Sequence, residues 1–532
     1  MINQNKRWLI PEEKSEINKE LAGILNISDV LAELLIQRGY EDIKKATDFL
    51  HPENQEFCDP LLLKGMEESV TRIETALLNK EKIVVYGDYD VDGMSATALT
   101  VRVLRALSAQ VSFYIPERQS EGYGINLEAL NKFIKDDVDL LITVDCGISS
   151  IAEIELVKNK IDIIITDHHR PPDTLPPAFA IINPHQEGCI YPEKNLAGVG
   201  VAFKLCQALW SRIKQETLTD FIDLAMLGTI ADLMPLVGEN RLIVALGMKQ
   251  LNDTKNLGLK ALLKNCNPDH RVLNTATIGF GIAPRLNAAG RLSSALSAVE
   301  LLLTDDEEIA AKIAGELENE NHMRRMIQDE VIEEAEKYIA TIDIKNEKVL
   351  VIVGDHWNSG VIGLAASKIL DKYYKPTIVI SVADGIGKAS CRSIQGFNIH
   401  SALTECADLL IKYGGHEAAA GFSLCIEKIA TLREKLNEIA KRDLVEADYI
   451  PEIKIDKKIS LSDITENLID ELKLLEPCGM GNIKPTFVAC DYTVESAFLL
   501  GAEKKHLKLN LRHGVARKEC VFWNRGDLID FL

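Results

Sequence analysis

The chain has 532 residues, of which 46% are hydrophobic and 26% are charged, and its formal net charge is −20. This length exceeds what one hydrophobic core supports and predicts about two to four domains. The negative charge disfavours a protein that coats nucleic acid by bulk electrostatic attraction, although an enzyme with a local basic groove is compatible with it.

Three further features bear on location. No segment approaches the roughly 18 uninterrupted apolar residues of a membrane helix, and the N-terminal twenty residues lack the apolar core of a signal peptide. The eleven cysteines include no CxxC pair, which argues against a zinc ribbon or a disulfide framework. We therefore expect a cytoplasmic protein with reduced thiols and no membrane association.

In chain order, the first predicted elements are helices. Apolar residues at three- and four-residue spacing predict helices within residues 1–80. Short β-branched runs then alternate with helical stretches, and the runs are 82–86, 110–115, 139–144, 161–166 and 178–182. Alternation of this kind predicts βαβ units and a largely parallel sheet. Residues 196–300 are predicted to be mostly helical.

The second half of the chain predicts three further regions. A proline-free helical pattern over 305–340 predicts one long helix that bridges two domains, and a second α/β unit follows from 347 to about 445. Short strand-like pieces with Gly/Pro turns from about 452 predict a small β-barrel. The predicted domains are a helical N-terminal extension (1–70), a first α/β domain (71–304), a connecting helix (305–345), a second α/β domain (346–446) and the barrel (452–532).

Polar residues follow the strands of the first predicted sheet, and ligands bind beyond the carboxyl ends of such strands. They are Asp88, Asp90 and Asp92 after the first strand, Arg118 after the second, Asp145 after the third, Asp167, His168 and His169 after the fourth, and Asn183 and His185 after the fifth. If all five strands share one sheet, these residues meet at one edge. Asp232 adds a carboxylate within an apolar helical stretch, where an unpaired charge is costly.

Three carboxylates spaced two residues apart repel one another unless a positive charge compensates for them. Carboxylates with imidazoles and without thiolates suit Mn²⁺ or Mg²⁺ more than structural zinc. A cluster of this size can hold two ions about 4 Å apart, and such a pair fits the hydrolysis of a phosphoester. The pattern therefore predicts a dinuclear metal site.

Other interpretations exist for single residues. An aspartate after a strand is often only a helix N-cap or a turn residue, and His185 fits an ordinary loop histidine. The spacing of the first three aspartates is also that of a calcium loop, but Leu99 stands where the twelfth-position Glu should be. The joint occurrence of Asp90, Asp92, Asp145, His168 and Asp232 favours the metal interpretation.

The ordered motifs resemble a known family. GDYDVDGMSAT (87–97), VDCGIS (144–149), TDHH (166–169), GVGVAFKL (198–205) and LGTIADLMPL (227–236) resemble the successive motifs of the DHH phosphoesterase superfamily. GIAPRLNAAGRL (281–292), GVIGLAASKI (360–369), GKASCRS (387–393) and GGHEAAAGFSL (414–424) narrow the resemblance to its RecJ branch of single-strand-specific 5′-to-3′ exonucleases.

The resemblance implies a role for each matched residue. The implied ligands of two Mn²⁺ or Mg²⁺ ions are Asp90, Asp92, Asp145, His168 and Asp232, with Asp145 as the bridge, and the implied catalytic residues are Asp88 and His169. The second α/β domain would be the DHH-associated domain, and the barrel an oligonucleotide-binding (OB) domain. The implied substrate-binding residues are Arg118, Arg285, Arg291, Ser390, Arg392, Gly414, Gly415 and His416.

The implied activity is metal-dependent degradation of single-stranded DNA to 5′-mononucleotides in repair and recombination. The implied partners are a helicase and a single-strand-binding protein, and we expect a monomer. Two departures stand out. Asn358 occupies a position where many relatives carry His, so a substrate-facing imidazole is lost or replaced by His356, and the chain ends soon after the barrel begins, so we expect the barrel to lack its last strand.

Two alternatives are open. A DHH-type phosphodiesterase acting on short oligoribonucleotides or cyclic dinucleotides would share the metal motifs, but such relatives are shorter and lack the helical N-terminus and the barrel. A replication-associated module that lost its chemistry would share the fold, but the predicted metal ligands are intact. Length and the intact ligands favour the exonuclease.

Overall fold

The computed structural model describes residues 6–11, 17–118, 121–122 and 124–532. They form two compact units. The first comprises Cys58–Met234 and Leu246–Pro451, and the second comprises Arg7–Phe57, Pro235–Ala245 and Glu452–Leu532. Within the described residues, no helix combines the length and hydropathy that crossing a membrane requires. The eleven cysteines are free thiols, as predicted.

The secondary structure follows the predicted order. The α-helices are α1 (Ile17–Leu25), α2 (Asp29–Gln37), α3 (Ile43–Leu50), α4 (Met66–Asn79), α5 (Val91–Ala106), α6 (Leu127–Lys135), α7 (Ile151–Glu155), α8 (Gly198–Lys214), α9 (Ile222–Ala231), α10 (Gly238–Leu251), α11 (Leu257–Cys266), α12 (Ala283–Leu292), α13 (Leu296–Leu303), α14 (Glu307–Ile339), α15 (Ile362–Tyr373), α16 (Ile399–Glu405), α17 (Ile429–Asp443) and α18 (Glu466–Lys473). The β-strands are β1 (Arg7–Leu9), β2 (Lys82–Gly87), β3 (Gln110–Tyr114), β4 (Leu140–Val144), β5 (Asp162–Thr166), β6 (Ala180–Ile182), β7 (Leu350–Asp355), β8 (Thr377–Ala383), β9 (Ile386–Arg392), β10 (Lys412–Gly415), β11 (Ala419–Cys425), β12 (Glu452–Lys454), β13 (Lys457–Lys458), β14 (Phe487–Val488), β15 (Thr493–Leu500), β16 (His506–His513) and β17 (Ala516–Phe522). A π-helical segment, Thr277–Ile282, precedes α12.

The first sheet has the order β3-β2-β4-β5-β6, and every neighbouring pair is parallel. All five predicted strands therefore share one sheet, which confirms that prediction. Every residue of β4 is buried. A parallel strand covered by helices on both faces has a continuous apolar sequence, and the LLITV sequence of β4 is of this kind.

Helices α5, α8 and α9 pack against one another beside this sheet. In α5, the residues from Val91 to Val101 are all buried, and in α9 those from Ile222 to Ile230 are. Helices buried on all sides have no polar face, so the acidic residues they do carry require a local reason. Asp92 in α5 and Asp232 at the end of α9 are such residues.

The long helix predicted over 305–340 is observed as α14, which has 33 residues and a length of about 50 Å. Asp306 caps it by accepting hydrogen bonds from the N–H groups of Glu308 and Ile309. The sheet that follows has the order β10-β11-β9-β8-β7, in which only β7 and β8 are parallel. Helix α15 covers one face of it and α17 the other.

The second unit contains the N-terminal helices and the C-terminal strands. Strand β1 pairs in parallel with β12, a pairing that the helical prediction for residues 1–80 missed. The side chain of Arg241 is buried, and its nitrogens donate to the carbonyl oxygens of Phe49, Leu475 and Glu476 at 2.8–3.2 Å. This guanidinium joins the N-terminal helices to the turn after α18.

The C-terminal strands β15, β16 and β17 form an antiparallel sheet. Leu507, Leu509 and Leu511 of β16 are buried on its inner face. Among the described residues, β13 and β14 form a separate parallel pair, so the hydrogen-bonded ladders do not close into a full barrel. The boundaries of the five predicted domains stay a prediction.

Candidate active site

The carboxyl ends of the parallel strands lie in one row. Gly87 of β2 pairs with Val144 of β4, and Val144 pairs with Thr166 of β5. The next residue after each is an aspartate, namely Asp88, Asp145 and Asp167. Asp145 has a φ of +61°, a left-handed conformation that costs of order 1–3 kcal/mol in a non-glycine residue and is concentrated at functional sites.

Helix α5 begins directly after β2. Asp90 is its N-cap and accepts a hydrogen bond from the N–H of Gly93 at 3.0 Å. The N-cap interpretation is therefore correct for Asp90, which also belongs to the cluster described below. Asp92 lies in the first turn of α5. Its two oxygens accept hydrogen bonds from the N–H groups of Gly198 at 2.7 Å and Val199 at 2.8 Å, which begin α8. The positive end of a helix thus holds the Asp92 carboxylate.

Two glycines let helices approach these carboxylates. A Cβ on Gly198 would lie 2.4 Å from Oδ1 of Asp145, and a Cβ on Gly228 would lie 2.6 Å from Oδ1 of Asp92. Both distances are far below van der Waals contact, so no larger residue fits without displacing the acid. This close approach accounts for Gly198, the first glycine of GVGVAFKL, and for Gly228, the glycine of LGTIADLMPL.

His168 lies at the centre of the acids. Its Nε2 is 3.3 Å from Oδ1 of Asp145, 3.6 Å from Oδ2 of Asp232 and 3.9 Å from Oδ2 of Asp92. Three groups each offer ligand atoms within 4.8 Å of one another: Asp145, His168 and His169; Asp92, His168 and Asp232; and Asp88, Asp90 and Asp145. We call these seven residues the acid–imidazole cluster. The structure brings together every predicted metal ligand and both predicted catalytic residues, while their roles stay predictions.

The cluster is electrostatically strained. Burial, followed by repulsion from neighbouring carboxylates, raises the pKa of Asp92 to about 7 and that of Asp232 to about 7. The same causes, in the same order, raise the pKa values of Asp88 and Asp145 well above the usual range. Oδ1 of Asp88 is buried and has no hydrogen-bond partner among the described residues. Carboxylates and imidazoles that need positive charge are the donor set that Mn²⁺ or Mg²⁺ fits.

Asp167 is a residue to which the sequence assigned no role. It is fully buried, and its Oδ1 accepts hydrogen bonds from the N–H groups of His168 at 2.7 Å and His169 at 3.0 Å and lies 2.8 Å from Nδ1 of His169. Its other oxygen accepts from the N–H of Ile148 at 3.0 Å. Burial would raise the pKa of Asp167, but the bonds and charge of His169 lower it. Its place in TDHH, directly after a strand, was the available signal.

The contact between Asp167 and His169 also affects the protonation of His169. Burial would lower the pKa of His169, but the hydrogen bond and charge of Asp167 outweigh burial and raise that pKa to about 9. A carboxylate on Nδ1 also fixes the ring orientation. His185, by contrast, is exposed in the loop after β6 and belongs to none of the three groups.

Arginines gather close to this cluster. Burial, then the charges of Arg118, Arg324 and Arg392, lower the pKa of Arg291 to about 10, while Asp90 raises it by a smaller amount. We call these four arginines the arginine cluster. Arg324 was not predicted, because it lies among many charged residues of α14. Its guanidinium is held by Oδ1 of Asn321 and Oε1 of Gln328.

The other three members are each fixed by a neighbour. Arg118 lies 5.1 Å over the ring of Tyr89, the residue between Asp88 and Asp90. Arg291 donates from Nη1 to the carbonyl oxygen of Gly360 at 2.8 Å. Arg392 donates to Oγ of Ser367 at 3.1 Å, to Oγ of Ser390 at 3.3 Å and to the carbonyl oxygen of Cys391 at 2.8 Å.

The predicted glycine-rich segment lies in the second sheet. Gly414 of β10 pairs with Gly421 of β11, which pairs with Ser390 of β9, so the three residues form one row across the sheet. Gly414, Gly415 and His416 are exposed. Gly415 has a φ of +139°, a conformation that favours glycine.

Two predicted features have a different setting from the one expected. The guanidinium of Arg285 pairs with both carboxylate oxygens of Glu318, and its side chain is 10% exposed. These contacts do not favour binding of Arg285 to DNA, which stays a prediction.

Asn358 accepts a hydrogen bond from the N–H of Gly360 at 2.8 Å, so it shapes the turn before α15. His356 is exposed and has a φ of +57°. Whether His356 replaces an imidazole stays a prediction.

Comparison with known proteins agrees with this geometry. The model of the DHH family N-terminal domain matches residues 82–229, that of the DHHA1 domain matches 346–442, and that of the RecJ OB domain matches 455–532. The first two define a DHH-type architecture, and the third is specific to one branch of it.

Full-length relatives specify that branch. The chain is 42% identical to the single-stranded-DNA-specific exonuclease RecJ of Bacillus subtilis over 99% of this chain and 67% of that protein. It is 34% identical to the RecJ of Haemophilus influenzae over 85% of this chain and 82% of that one. The crystal structure of RecJ from Thermus thermophilus in complex with Mn²⁺ matches with a TM-score of 0.85 and 32% identity, covering 99% of this chain and 75% of that one. The chain belongs to the RecJ family of single-stranded-DNA-specific exonucleases, which confirms the resemblance.

Proposed function

We propose that this protein is a metal-dependent exonuclease that degrades single-stranded DNA from the 5′ end to 5′-mononucleotides, in DNA repair and recombination. The observation that carries the proposal is the acid–imidazole cluster, in which Asp145 and His168 each belong to two of the three ligand groups. Residues shared in this way are suited to link two cation positions. Asp90, Asp92 and Asp232 supply the remaining oxygens.

Two bound Mn²⁺ or Mg²⁺ ions would lower the pKa of a water molecule and neutralise charge on the scissile phosphate. The chain's own residues would orient the reactants. The N-terminus of α8 holds Asp92 rigidly, and Asp167 holds the ring of His169. The hydrogen bond and charge of Asp167 raise the pKa of His169 and so favour a protonated ring, which would donate a hydrogen bond to a phosphate oxygen. Asp88 lies beside Asp90 and Asp145 and would accept a proton from water.

The arginine cluster supplies the complementary anion site. A planar guanidinium matches two phosphate oxygens at once. An anion would offset the neighbouring cations that, after burial, lower the pKa of Arg291. We assign the 5′ end of the strand to Arg118, Arg291, Ser390 and Arg392. The exposed backbone of Gly414 and Gly415, with His416, would contact the next phosphates.

The C-terminal sheet offers a surface for the rest of the strand. On its outer face, Phe498 of β15 lies opposite Lys508 of β16, which lies opposite Val521 of β17. Phe498 is 52% exposed and Trp523 is 68% exposed. The ammonium of Lys508 lies 2.9 Å from Oε1 of the exposed Glu519, so a phosphate would have to displace that carboxylate. Aromatic side chains beside basic ones bind single strands by stacking and charge. We further propose that the protein acts as a cytoplasmic monomer beside a helicase and a single-strand-binding protein, on the strength of its family.

A digestion series with Mn²⁺ tests the proposal. The substrates are single-stranded DNA blocked at the 5′ end, the same DNA blocked at the 3′ end, the duplex, a short oligoribonucleotide and a cyclic dinucleotide. We expect mononucleotides from 3′-blocked single strands and none from 5′-blocked strands or duplex. Cleavage confined to the last two substrates would establish the alternative phosphodiesterase instead.

A further inference from the structure

Arg285 belongs to the same motif as Arg291, yet its surroundings are unlike those of the arginine cluster. Its Nε lies 2.5 Å from Oε2 of Glu318 and its Nη2 lies 3.1 Å from Oε1. Its Nη1 donates to the carbonyl oxygen of Gly281 at 2.7 Å. All three guanidinium nitrogens are therefore engaged, and the residue is 8% exposed. A strand of DNA could reach this side chain only by displacing Glu318.

The other end of α12 lies at a junction. A Cβ on Gly290 would lie 2.7 Å from the carbonyl oxygen of Tyr89, within the loop that carries Asp88 and Asp90. A Cβ on Gly360 would lie 2.8 Å from the carbonyl oxygen of Arg291, and Arg291 donates to the Gly360 carbonyl. The C-terminal turn of α12 thus contacts the loop that carries Asp88 and Asp90, which we call the metal loop, on one side and Gly360, just before α15, on the other.

Two acids of α14 fasten α12 at its two ends. Glu318 holds Arg285 in the first turn, and Oε1 of Glu320 accepts a hydrogen bond from Oγ of Ser293, just after the last turn, at 2.8 Å. Arg285 and Arg291 are six residues apart, which corresponds to about 9 Å along a rigid helix. A displacement at one end of such a short helix is transmitted to the other.

We propose that the Arg285–Glu318 pair is a positioning device that sets Arg291 against the metal loop and α15, and that Arg285 does not contact DNA. The proposal rests on the proposed function, because it assigns Arg291 to the 5′-phosphate. Its energetic basis is the cost of leaving the buried Arg285 guanidinium without its carboxylate partner, since the side chain of Arg285 is 10% exposed although that of Glu318 is 38% exposed. The helix can avoid that cost by shifting Arg285 toward solvent, and Arg291 shifts with it.

A direct grip and a positioning role predict opposite results for Glu318→Ala. If Arg285 binds DNA, removing Glu318 frees the guanidinium and leaves binding unchanged or stronger. If Arg285 positions Arg291, Glu318→Ala causes the same loss as Arg285→Ala. The quantity to measure is the ratio of KM for 5′-phosphorylated strands to KM for 5′-hydroxyl strands, since a loss of folded protein lowers the maximal rate and leaves KM unchanged.

The experiment compares Arg285→Ala, Glu318→Ala, Arg291→Ala and the double variant Arg285→Ala/Arg291→Ala in the full chain with Mn²⁺. We expect each single variant to raise the KM ratio about tenfold, and the double variant to be no worse than Arg291→Ala. The charge exchange Arg285→Glu/Glu318→Arg should restore most of the loss. Exchange of the exposed pair Lys312 and Glu316 on the same helix, whose charges lie 3.9 Å apart, is the matched control.

Additive losses in the double variant, or an unchanged ratio in Glu318→Ala, would overturn the positioning role. If Arg285→Ala does not fold, Glu318→Gln keeps a hydrogen bond and gives the same comparison at smaller amplitude. Wild-type protein that degrades no single-stranded DNA refutes the proposed function. Wild-type activity with unchanged variants refutes this inference alone.

Discussion

The acid–imidazole cluster and the arginine cluster are opposites built in the same unit. The first collects buried carboxylates whose pKa values are raised, because burial and mutual repulsion disfavour their ionised forms. The second surrounds Arg291, whose pKa is lowered because burial and neighbouring cations disfavour its charge. Neither neutralises the other, since Asp90 offsets only a minor part of the effect on Arg291.

The difference indicates what each cluster is for. Like charges held close together cost free energy, and natural proteins tolerate that cost mainly at functional sites. Divalent cations would satisfy the first cluster and phosphates the second. A metal-bound nucleic acid strand satisfies both at once, whereas either ligand alone leaves one cluster strained.

Asp145→Asn tests the acid–imidazole cluster directly. The loss of a shared carboxylate should reduce exonuclease turnover about 10³-fold or more. Because the variant also removes a buried negative charge, we expect it to be more stable than the wild type in a chelator, as thermal unfolding would show. Asp173→Asn, at an exposed position, should change neither quantity. A fully active Asp145→Asn enzyme would remove Asp145 from the centre.

Adding Mn²⁺ should reduce the repulsion among the carboxylates of the acid–imidazole cluster without affecting the arginine cluster. Mn²⁺ at a hundred times its dissociation constant should raise the free energy of unfolding by about 2.7 kcal/mol per site. Thermal unfolding with and without Mn²⁺ measures this gain. The gain should shrink in Asp145→Asn and persist in Arg392→Ala, and equal gains in both variants would place the ions elsewhere.

Gly198→Ala tests whether the close approach of α8 is needed. Its new methyl group would lie 2.4 Å from Oδ1 of Asp145, so either the helix or the acid must move. We expect turnover to fall about 10–100-fold, since small displacements of catalytic groups are costly. Gly315→Ala in α14, with nothing within 4 Å, should instead stabilise the protein by about 0.5–1 kcal/mol. Normal kinetics in Gly198→Ala would show that the acid tolerates displacement.

The two clusters also differ in how far the sequence predicts them. The acids follow strands of a parallel sheet, and the topology of such a sheet brings the ends of its strands to one edge. The sequence alone therefore places Asp88, Asp145 and Asp167 at this edge. Asp232 was recognisable because a carboxylate in an apolar helix needs a partner.

No comparable topological rule predicts where the arginines lie. Arg285 and Arg291 share one motif, but only the position of Glu318, 33 residues along the chain from Arg285, separates a paired arginine from one in the cluster. Arg324 is one of many charges on α14, and its burial depends on tertiary packing. The pairing of β1 with β12 likewise joins Arg7 to Glu452, a separation that local periodicity cannot register.

The smallest expected effect concerns the arginine cluster. Arg392→Ala should raise KM for 5′-phosphorylated strands about tenfold and KM for 5′-hydroxyl strands much less, because a charge-assisted bond to phosphate is worth roughly 1.5–3 kcal/mol. Arg392→Lys should recover only part of the difference, since lysine keeps the charge but loses the planar fork. Lys388→Ala, at an exposed position on the same strand, should leave the ratio of the two KM values unchanged. Equal increases for both substrates would assign Arg392 to the DNA backbone and leave the 5′-phosphate to Arg118 and Arg291.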